Sequence, residues 1–257
     1  SNLLLVRKPD PSSPGGIKKR VCVNFIQLNK ITIKDRYPLP NQDDIFRNLS
    51  GAEWFSNFDL ASGFWQIAIK PEDRHKTAFI TNRGLYEFLV MPFGLCNAPS
   101  TFQRMMDRII LPEWSSFVQT YIDDIILHSK TFEEQIEHLK KLHDALRKAG
   151  LTMKLTKCHF AHKEIQFLGH IISKDGIKPN PAKIEAIKNW KQPADASAVR
   201  SFVGLVGWYR KFIPHFAEIT FPLYQLTKKN VLFILEKSHP RENQKSKEHF
   251  FFFGVVE

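Results

Sequence analysis

The Tyr-Ile-Asp-Asp sequence at residues 121–124 is the feature that most restricts what this chain can become. Short apolar, β-branched runs flank it at residues 117–120 and 125–127. Such runs predict two strands of a β-hairpin, with the aspartates at or beside its turn. Because Asp side chains bond nearby backbone groups in turns, a solvated hairpin tip is one interpretation. The other is a metal site, since adjacent carboxylates on a rigid hairpin suit Mg²⁺ when a further acid joins them.

Asp59 is the best candidate for that further carboxylate. It ends the apolar run at residues 54–58, and a Ser-Gly turn follows it. In an antiparallel sheet this strand can lie beside the hairpin, which would bring three carboxylates to one sheet edge. Three adjacent negative charges repel one another unless cations neutralise them. Two Mg²⁺ ions are the usual solution, and they drive in-line phosphoryl transfer.

The charge of the chain indicates a polyanionic partner. Its 37 Lys and Arg exceed its 26 Asp and Glu, which gives a net charge of +11. Nucleic acid is the commonest partner of such a protein, and a merely soluble basic protein is the alternative. The 3 cysteines have no paired spacing, which excludes a disulfide framework and fits a reducing, intracellular compartment. No apolar run is long enough to span a bilayer, so we expect no membrane partner.

The order of predicted elements is that of an α+β protein. We expect strands over residues 3–6, 21–28, 54–60, 65–69, 77–80, 85–90, 151–155 and 166–173, and helices over residues 41–49, 99–110, 131–150, 180–190 and 196–213. Thr131 and Glu134 form a capping-box pattern at the start of the longest amphipathic stretch. From Val231 onward the periodicity is lost, and we expect a divergent, disordered tail over residues 230–257.

Five segments of the chain resemble, in order, the polymerase motifs of reverse transcriptases. They are Phe-Ser-Asn-Phe-Asp-Leu-Ala-Ser-Gly-Phe-Trp-Gln-Ile at residues 55–67, the segment at 86–103 that contains Met-Pro-Phe-Gly-Leu-Cys-Asn-Ala-Pro, Tyr-Ile-Asp-Asp at 121–124, Leu-Thr-Lys-Cys-His-Phe at 155–160, and Phe-Leu-Gly-His-Ile-Ile-Ser at 167–173. The pattern at residues 200–214 is similar to the thumb of Gypsy-class long-terminal-repeat retrotransposons. The resemblance covers residues 3–229 and implies a right-hand polymerase, with fingers, an antiparallel palm sheet with packed helices, and a short helical thumb.

The resemblance also implies domain boundaries. Fingers and the start of the palm would occupy residues 1–53, palm 54–66, fingers 67–97, palm with the Asp-Asp hairpin and the primer grip 98–178, and thumb or connection 179–229. RNase H and integrase regions are expected in the parent polyprotein and are absent from this chain.

The implied activity is that of an RNA-directed DNA polymerase. It would add deoxynucleotides to a primer 3′-hydroxyl on an RNA or DNA template, using dNTPs and two Mg²⁺ ions, with Mn²⁺ as a substitute. The alternative is a catalytically weak, truncated retroelement remnant that only binds nucleic acid. Asn24 and Ile26 favour that alternative, because the family usually has Asp and Arg at these positions.

The family's catalytic and nucleotide-binding roles carry over to individual residues. Asp59, Asp123 and Asp124 would bind the metals, and Lys157 would protonate the leaving pyrophosphate or be a solvated surface lysine. In the nucleotide pocket the resemblance places Arg20 on the triphosphate, Phe64 under the sugar where it excludes a 2′-hydroxyl, and also Phe93 and Gly94. Gly94, with Ala98 and Pro99, would shape the floor near the templating base. A core aromatic is the structural alternative for Phe64, and a solvated charge is the alternative for Arg20.

The remaining roles concern the template and primer. The resemblance assigns them to Tyr121, to a primer grip of Phe167, Leu168, Gly169 and His170, and to Arg200, Gly204 and Trp208 of the thumb. The last three recur every fourth residue, opposite an apolar stripe of Val199, Phe202, Val203, Val206, Tyr209 and Ile213. A basic residue, a glycine and an aromatic on one face would let this helix approach a minor groove. Packing of Gly204 against another helix, and a buried strand at 167–170, are the alternatives.

Overall fold

The computed structural model describes residues 2–9 and 17–228 of the chain. The described residues form two compact units, the first within residues 2–168 and 172–176 and the second within residues 169–171 and 177–228. The disordered tail predicted over residues 230–257 lies outside the described residues. Within the described ranges, no helix is both long and apolar enough to cross a membrane.

Antiparallel strands and helices alternate along the chain. The strands are β1 (Leu3–Pro9), β2 (Ile17–Val23), β3 (Trp54–Asp59), β4 (Phe79–Thr81), β5 (Gly84–Tyr86), β6 (Val118–Tyr121), β7 (Asp124–Ser129), β8 (His159–His162), β9 (Glu164–Phe167), β10 (His170–Ser173) and β11 (Gly176–Pro179). The helices are α1 (Ile26–Ile31), α2 (Gln42–Asn48), α3 (Ala98–Ile109), α4 (Phe132–Lys148), α5 (Pro181–Lys188), α6 (Ala196–Gly207) and α7 (Phe216–Gln225). Short 3-10 turns cover Gly63–Gln66, Pro71–Thr77, Pro112–Ser116, Leu155–Lys157 and Arg210–Phe212. This arrangement confirms the predicted α+β class.

The main sheet has four strands in the order β6-β7-β3-β8. β7 lies in its interior and pairs antiparallel with β6 on one side and with β3 on the other. Every β7 side chain after Asp124 is buried, as expected of a strand that is covered on both faces. The register with β3 sets Asp59 directly opposite Asp124, so the strand predicted beside the hairpin is indeed there. The pairs β1–β2 and β4–β5 form separate hairpins.

Two helices supply the core that fixes this sheet. Its largest fully buried members are Phe102 and Met106 of α3, Leu142 and Leu146 of α4, and Leu60, Ile125 and Leu127 from the sheet region. Each such side chain contributes on the order of 2 kcal/mol through burial. α4 begins with the predicted capping box, in which Thr131 and Glu134 bond each other's backbone N–H groups. The sheet end that carries Asp59 and Asp124 therefore rests on a rigid support.

Several predicted strands differ from the structure. The strand expected over residues 85–90 ends with β5 at Tyr86, and the one over residues 151–155 is only an isolated bridge at Met153. The strand expected over residues 166–173 is divided into β9 and β10, because Leu168 and Gly169 both have positive φ.

The strand expected over residues 21–28 ends at Val23, because the side-chain oxygen of Asn24 accepts the N–H of Ile26 at 3.0 Å and α1 begins there. The strand expected over residues 65–69 is replaced by the 3-10 turn Gly63–Gln66. Ser62, in the left-handed region with φ +54°, takes the chain out of the extended conformation just before that turn.

In the second unit, the predicted apolar stripe is the core. Val199, Phe202, Val203, Val206, Tyr209 and Ile213 are all buried. The helix expected over residues 196–213 is shorter than predicted, since α6 ends at Gly207 and a 3-10 turn follows over Arg210–Phe212. α7 was not predicted, and it contains Pro222 within its length. Burial of the same stripe continues across the 3-10 turn, so the pattern located the core correctly but not the end of the helix.

Candidate active site

The structure brings the three predicted carboxylates to one end of the main sheet. Asp59 is the last residue of β3, and Asp124, the first residue of β7, is its partner across the antiparallel pair. Asp123 occupies the turn between β6 and β7, beside Tyr121, which pairs with Asp124 from the other side. Because strands in a sheet lie roughly 5 Å apart, these residues carry their negative charges into one small region.

The electrostatics of this region are those of crowded negative charge. Burial, followed by the neighbouring carboxylates of Asp123 and Asp59, raises the pKa of Asp124 to about 6. The pKa of Asp123 is raised as well, chiefly by burial and further by Asp59, although a backbone hydrogen bond opposes the shift. Lys157 lowers both values. A charged group whose pKa is raised in this way gains from any cation that comes close.

Lys157 is the cation next to the carboxylates. Its Nζ donates a hydrogen bond to Asp59 Oδ2 at 2.6 Å. The loop that carries it is fixed to β3, because the backbone N–H of Lys154 donates to the carbonyl of Asp59 at 2.8 Å. Among the residues that the structure describes, no three His, Cys, Asp or Glu side chains already converge as a metal site. A metal ion would therefore require the carboxylates to turn inward or the Lys157–Asp59 pair to open.

The turn that carries Asp123 is held by a buried glutamine that the sequence reasoning missed. Ile122 has φ +57°, a left-handed conformation that is unusual for a β-branched residue. Its N–H donates to Oε1 of Gln103 at 2.7 Å. Gln103, in α3, is 0% exposed, and its Nε2 donates to Asp107 at 2.8 Å and Thr120 at 3.1 Å. The sequence feature that could have indicated this role is a polar glutamine directly after Phe102, among the apolar residues of the predicted helix.

Gly63 allows the loop after Asp59 to lie against the hairpin. A Cβ placed at this position would lie 3.0 Å from Asp123 Cβ and 3.2 Å from Phe102 Cζ. Both distances are shorter than ordinary contact between carbon atoms. A side chain at this position would force Asp123 or Phe102 to shift by a few tenths of an ångström, so glycine suits the close approach of the two acidic segments.

Phe64 follows in the 3-10 turn and is half-buried. Its ring centroid lies 5.4 Å from that of Phe93 and 5.6 Å from that of Phe102. This packing is compatible both with a core aromatic and with a wall of the nucleotide pocket. Gly94 has φ +96°, and its carbonyl accepts a hydrogen bond from Asn29 Nδ2 at 2.8 Å. Arg20 lies on β2 opposite Val6, and its side chain is outside the described residues.

A cleft of about 390 Å³ opens beside Asp59, Asp124 and Lys157. Its walls also include Asn57, Thr156, His159, Gln166, Phe167 and Leu168. Phe167 and Leu168 belong to the predicted primer grip, so the structure brings this part of it to the carboxylates. Three of these wall residues were not predicted from the sequence: Asn57, His159 and Gln166. Asn57 could have been predicted, because it lies two residues before Asp59 on the same strand, and residues two apart on a strand share a face.

The other predicted nucleic-acid contacts belong to the second unit. Tyr209 Oη donates to the carbonyl of Gly169 at 3.0 Å, and the ring of His170 lies 5.5 Å from the ring of Tyr209. Arg200, Gly204 and Trp208 are all exposed, opposite the buried stripe of α6. This exposure fits a contact surface and leaves Gly204 without any neighbour within 4 Å of an added Cβ. Helix packing at Gly204, the structural alternative, therefore has no support among the described residues.

The fold and the acidic end of the sheet agree with the family that the sequence matches. Residues 6–172 match the family described as reverse transcriptase (RNA-dependent DNA polymerase), and the chain belongs to this family. Its members are nucleotidyltransferases and generally depend on divalent metal ions. The match confirms the resemblance drawn from the motifs.

Retrotransposon polyproteins are among the curated proteins to which this chain is similar. It is 46% identical over 223 residues to the retrovirus-related Pol polyprotein from transposon 297 of Drosophila melanogaster, which covers 87% of this chain and 21% of that protein. It is 38% identical over 224 residues to the corresponding polyprotein from transposon gypsy of the same organism, with 87% and 22% covered. These matches confirm the Gypsy-class assignment. The chain spans about a fifth of the length of these curated relatives.

Solved structures support the same fold. The foamy viral protease-reverse transcriptase in complex with double-stranded DNA superposes with a TM-score of 0.78 at 27% identity, over 88% of this chain and 39% of that one. The same viral enzyme in complex with an RNA/DNA hybrid gives a TM-score of 0.76 at 26% identity, over 88% and 30%. These likenesses confirm the predicted right-hand polymerase fold.

The Gln103 contact leads to a first prediction. Replacing Gln103 by Met keeps the side-chain volume but removes the acceptor for the N–H of Ile122, so the strained turn loses its support. We expect primer extension to fall at least tenfold, corresponding to about 1.4 kcal/mol, while template–primer binding is retained. Steady-state extension and a binding titration measure the two effects. Thr120→Val is the matched control, because it removes one Gln103 partner and leaves the bond to Ile122; extension by Gln103→Met at the wild-type rate would contradict this role.

Proposed function

We propose that this chain is the polymerase part of a longer Pol polyprotein and extends primers with deoxynucleotides. The observation that carries the proposal is the register of β3 and β7, which sets Asp59 opposite Asp124 with Asp123 in the adjoining turn. In the reaction, the primer 3′-oxygen attacks the α-phosphorus of a dNTP and pyrophosphate leaves. The template would be RNA or DNA, and RNase H and integrase regions would belong to the parent polyprotein.

Asp59, Asp123 and Asp124 fit divalent cations of the Mg²⁺ type. Their carboxylate oxygens are hard ligands, and the pKa of Asp124 is raised by burial first and then by the carboxylates of Asp123 and Asp59, which a divalent cation would offset. Two Mg²⁺ ions held there, with Mn²⁺ as a substitute, would lower the pKa of the primer hydroxyl and neutralise the phosphates. Binding them would separate Lys157 from Asp59.

Lys157, once separated from Asp59, is placed to act on the leaving group. Its ammonium already lies at the edge of the cleft, on a loop fixed to β3 through Lys154. A positioned lysine that gives its proton to the departing pyrophosphate would act as a general acid. In the separated state the lysine also keeps a positive charge near the phosphates, which supports the same step.

The remaining contacts would orient the substrates. Phe64 would lie beside the nucleotide sugar, Arg20 would contact the triphosphate, and Phe93 and Gly94 would border the templating base. The primer end would rest on Phe167 and Leu168, with Tyr121, Gly169 and His170 assisting, and Arg200, Gly204 and Trp208 would follow the duplex. The net charge of +11 supports a phosphate-tracking surface of this kind. The proposed fingers, palm and thumb boundaries are those derived from the motifs.

A catalytically weak nucleic-acid-binding remnant is the second candidate. It is favoured by Asn24 and Ile26, which replace the Asp and Arg usual in the family, and by the use of the Asn24 side chain to end β2. The paired carboxylates favour the enzyme, because a protein that only binds phosphates has no use for clustered negative charge. Extension of oligo(dT) on poly(rA) with Mg²⁺ or Mn²⁺ separates the two, since the remnant would bind this substrate without extending it.

The carboxylates provide the second prediction. Asp123→Asn or Asp124→Asn keeps the side-chain shape but removes a negative charge from the proposed metal ligands. We expect primer extension to fall at least about a hundredfold, as loss of a strong electrostatic contact to the transition state does, while template–primer binding is retained. Asp175→Asn, in the exposed turn between β10 and β11, is the matched control. Near wild-type extension by either variant would refute the assigned metal ligands.

Phe64 provides the third prediction. The 2′-hydroxyl of a ribonucleotide would overlap with the Phe64 ring in its proposed position beside the sugar. Such overlap with a packed aromatic ring costs on the order of 1–3 kcal/mol. Phe64→Val should therefore raise the ratio of rNTP to dNTP incorporation roughly tenfold to a hundredfold. Single-nucleotide extension with both substrates measures this ratio. Phe132→Val, which removes an exposed ring on α4, should leave it unchanged; an unchanged ratio in Phe64→Val would show that the ring is only part of the core.

A further inference from the structure

Gln66 joins the turn that carries Phe64 to the segment that leads to Lys157. Its Nε2 donates to the carbonyl of Ala61 and to the carbonyl of Thr152, each at 2.9 Å. Its Oε1 accepts the N–H of Thr152 at 2.8 Å and the hydroxyl of Thr152 at 3.3 Å. One side-chain amide thus bonds both backbone groups of Thr152, as a neighbouring strand would.

The Gln66 amide continues a backbone pairing that stops at Ser62. The backbone of residues 59–61 pairs with residues 152–154, through Ala61 N–H to the Thr152 carbonyl at 2.9 Å and Lys154 N–H to the Asp59 carbonyl at 2.8 Å. The pairing stops at Ser62, whose left-handed backbone turns the chain away. Gln66 returns to the same place four residues later and satisfies the remaining groups of Thr152. We call this set of bonds the Gln66–Thr152 clamp.

The clamp restrains the 3-10 turn that carries Phe64. Phe64 lies two residues before Gln66 in the same 3-10 turn, whose backbone bonds, Trp65 N–H to the Ser62 carbonyl at 2.8 Å and Ile67 N–H to the Phe64 carbonyl at 3.2 Å, are both internal. Beyond the turn, the carbonyl of Ile67 accepts the N–H of Met91 at 2.8 Å, which joins the end of the turn to residues 89–91 and not to β3. The ring of Phe64 packs against Phe93 and Phe102, neither of which belongs to the strand that ends in Asp59. Among the described residues, the clamp supplies the side-chain hydrogen bonds that tie the turn, and with it the ring, to the segment paired with that strand.

We propose that Gln66 is a positioning residue for sugar selection: through the Gln66–Thr152 clamp it holds Phe64 at the fixed distance from Asp59 that excludes a ribonucleotide. The inference rests on the proposed polymerase function and adds a residue that touches neither substrate nor metal. Loss of the clamp lets the turn and the ring withdraw, so a 2′-hydroxyl is accommodated. General weakening of the fold would instead reduce the use of both nucleotides alike.

The variant that tests the proposal is Gln66→Met, which keeps the length of the side chain and removes all its hydrogen bonds. We expect the ratio of rNTP to dNTP incorporation to rise about tenfold, the change that loss of one to two net hydrogen bonds gives. Gln42→Met, at the start of α2, is the matched control and should keep the wild-type ratio. Gln66→Glu, which keeps the acceptor for the Thr152 N–H but loses the donor, should give an intermediate ratio.

A double variant shows whether Gln66 acts through Phe64. If it does, Gln66→Met combined with Phe64→Val should have the same ratio as Phe64→Val alone, because the ring that Gln66 positions is already gone. Independent, multiplicative effects of the two changes would overturn the positioning role.

Amide hydrogen exchange at Thr152 provides a readout that does not depend on activity. Exchange there should be faster in Gln66→Met than in the wild-type chain, and an unchanged rate would show that the clamp does not form. Faster exchange with an unchanged nucleotide ratio would overturn the role in sugar selection while the polymerase proposal stands. Absence of extension by the wild-type chain would instead refute the proposed function, and the inference with it.

Discussion

The antiparallel pairing of β3 with β7 is the constraint on which the rest of the structure depends. It places Asp59 opposite Asp124, and with Asp123 in the turn it concentrates negative charge where burial already disfavours it. By itself, this clustering of three carboxylates is unfavourable. A one-residue slip in the register of β3 and β7 would move every side chain of β7 to the other face of the sheet. The buried run from Ile125 to Ser129 prevents that slip. The apolar core thus maintains an electrostatic arrangement that the carboxylates by themselves oppose.

Two glutamine side chains hold the backbone segments next to the carboxylates. Gln103 supports the left-handed backbone of Ile122, so that Asp123 and Asp124 follow each other through a tight turn. Gln66 extends the pairing of the strand that ends in Asp59 to Thr152, beyond the point where the backbone departs. Both use the same physical device, a side-chain amide that replaces a missing peptide group. Gly63 completes the arrangement by leaving room for Asp123.

Much of the fold follows from short-range patterns in the sequence. The hairpin at residues 121–124, the capping box at Thr131 and Glu134, and the buried stripe of α6 each depend on a local period or a local hydrogen bond, and each is present as predicted. The errors arise where one side chain ends an element, as Asn24 does after β2. The contacts of Gln66 and Gln103 join residues 86 and 19 positions apart, respectively, so no local pattern reveals them. Motif resemblance pointed to the segments that contain both glutamines but not to what they do.

We propose that Asp59, Asp123 and Asp124 together hold divalent cations at the end of the β3–β7 pair. The decisive experiment is Mn²⁺ binding followed by electron paramagnetic resonance, with template–primer and dNTP present. We expect about two bound ions for the wild-type chain, and a loss of at least one of them in Asp59→Asn, even though Asp59 lies more than sixty residues from the other two acids in sequence. Identical Mn²⁺ binding by the two proteins would show that Asp59 does not share a cation site with the other two acids.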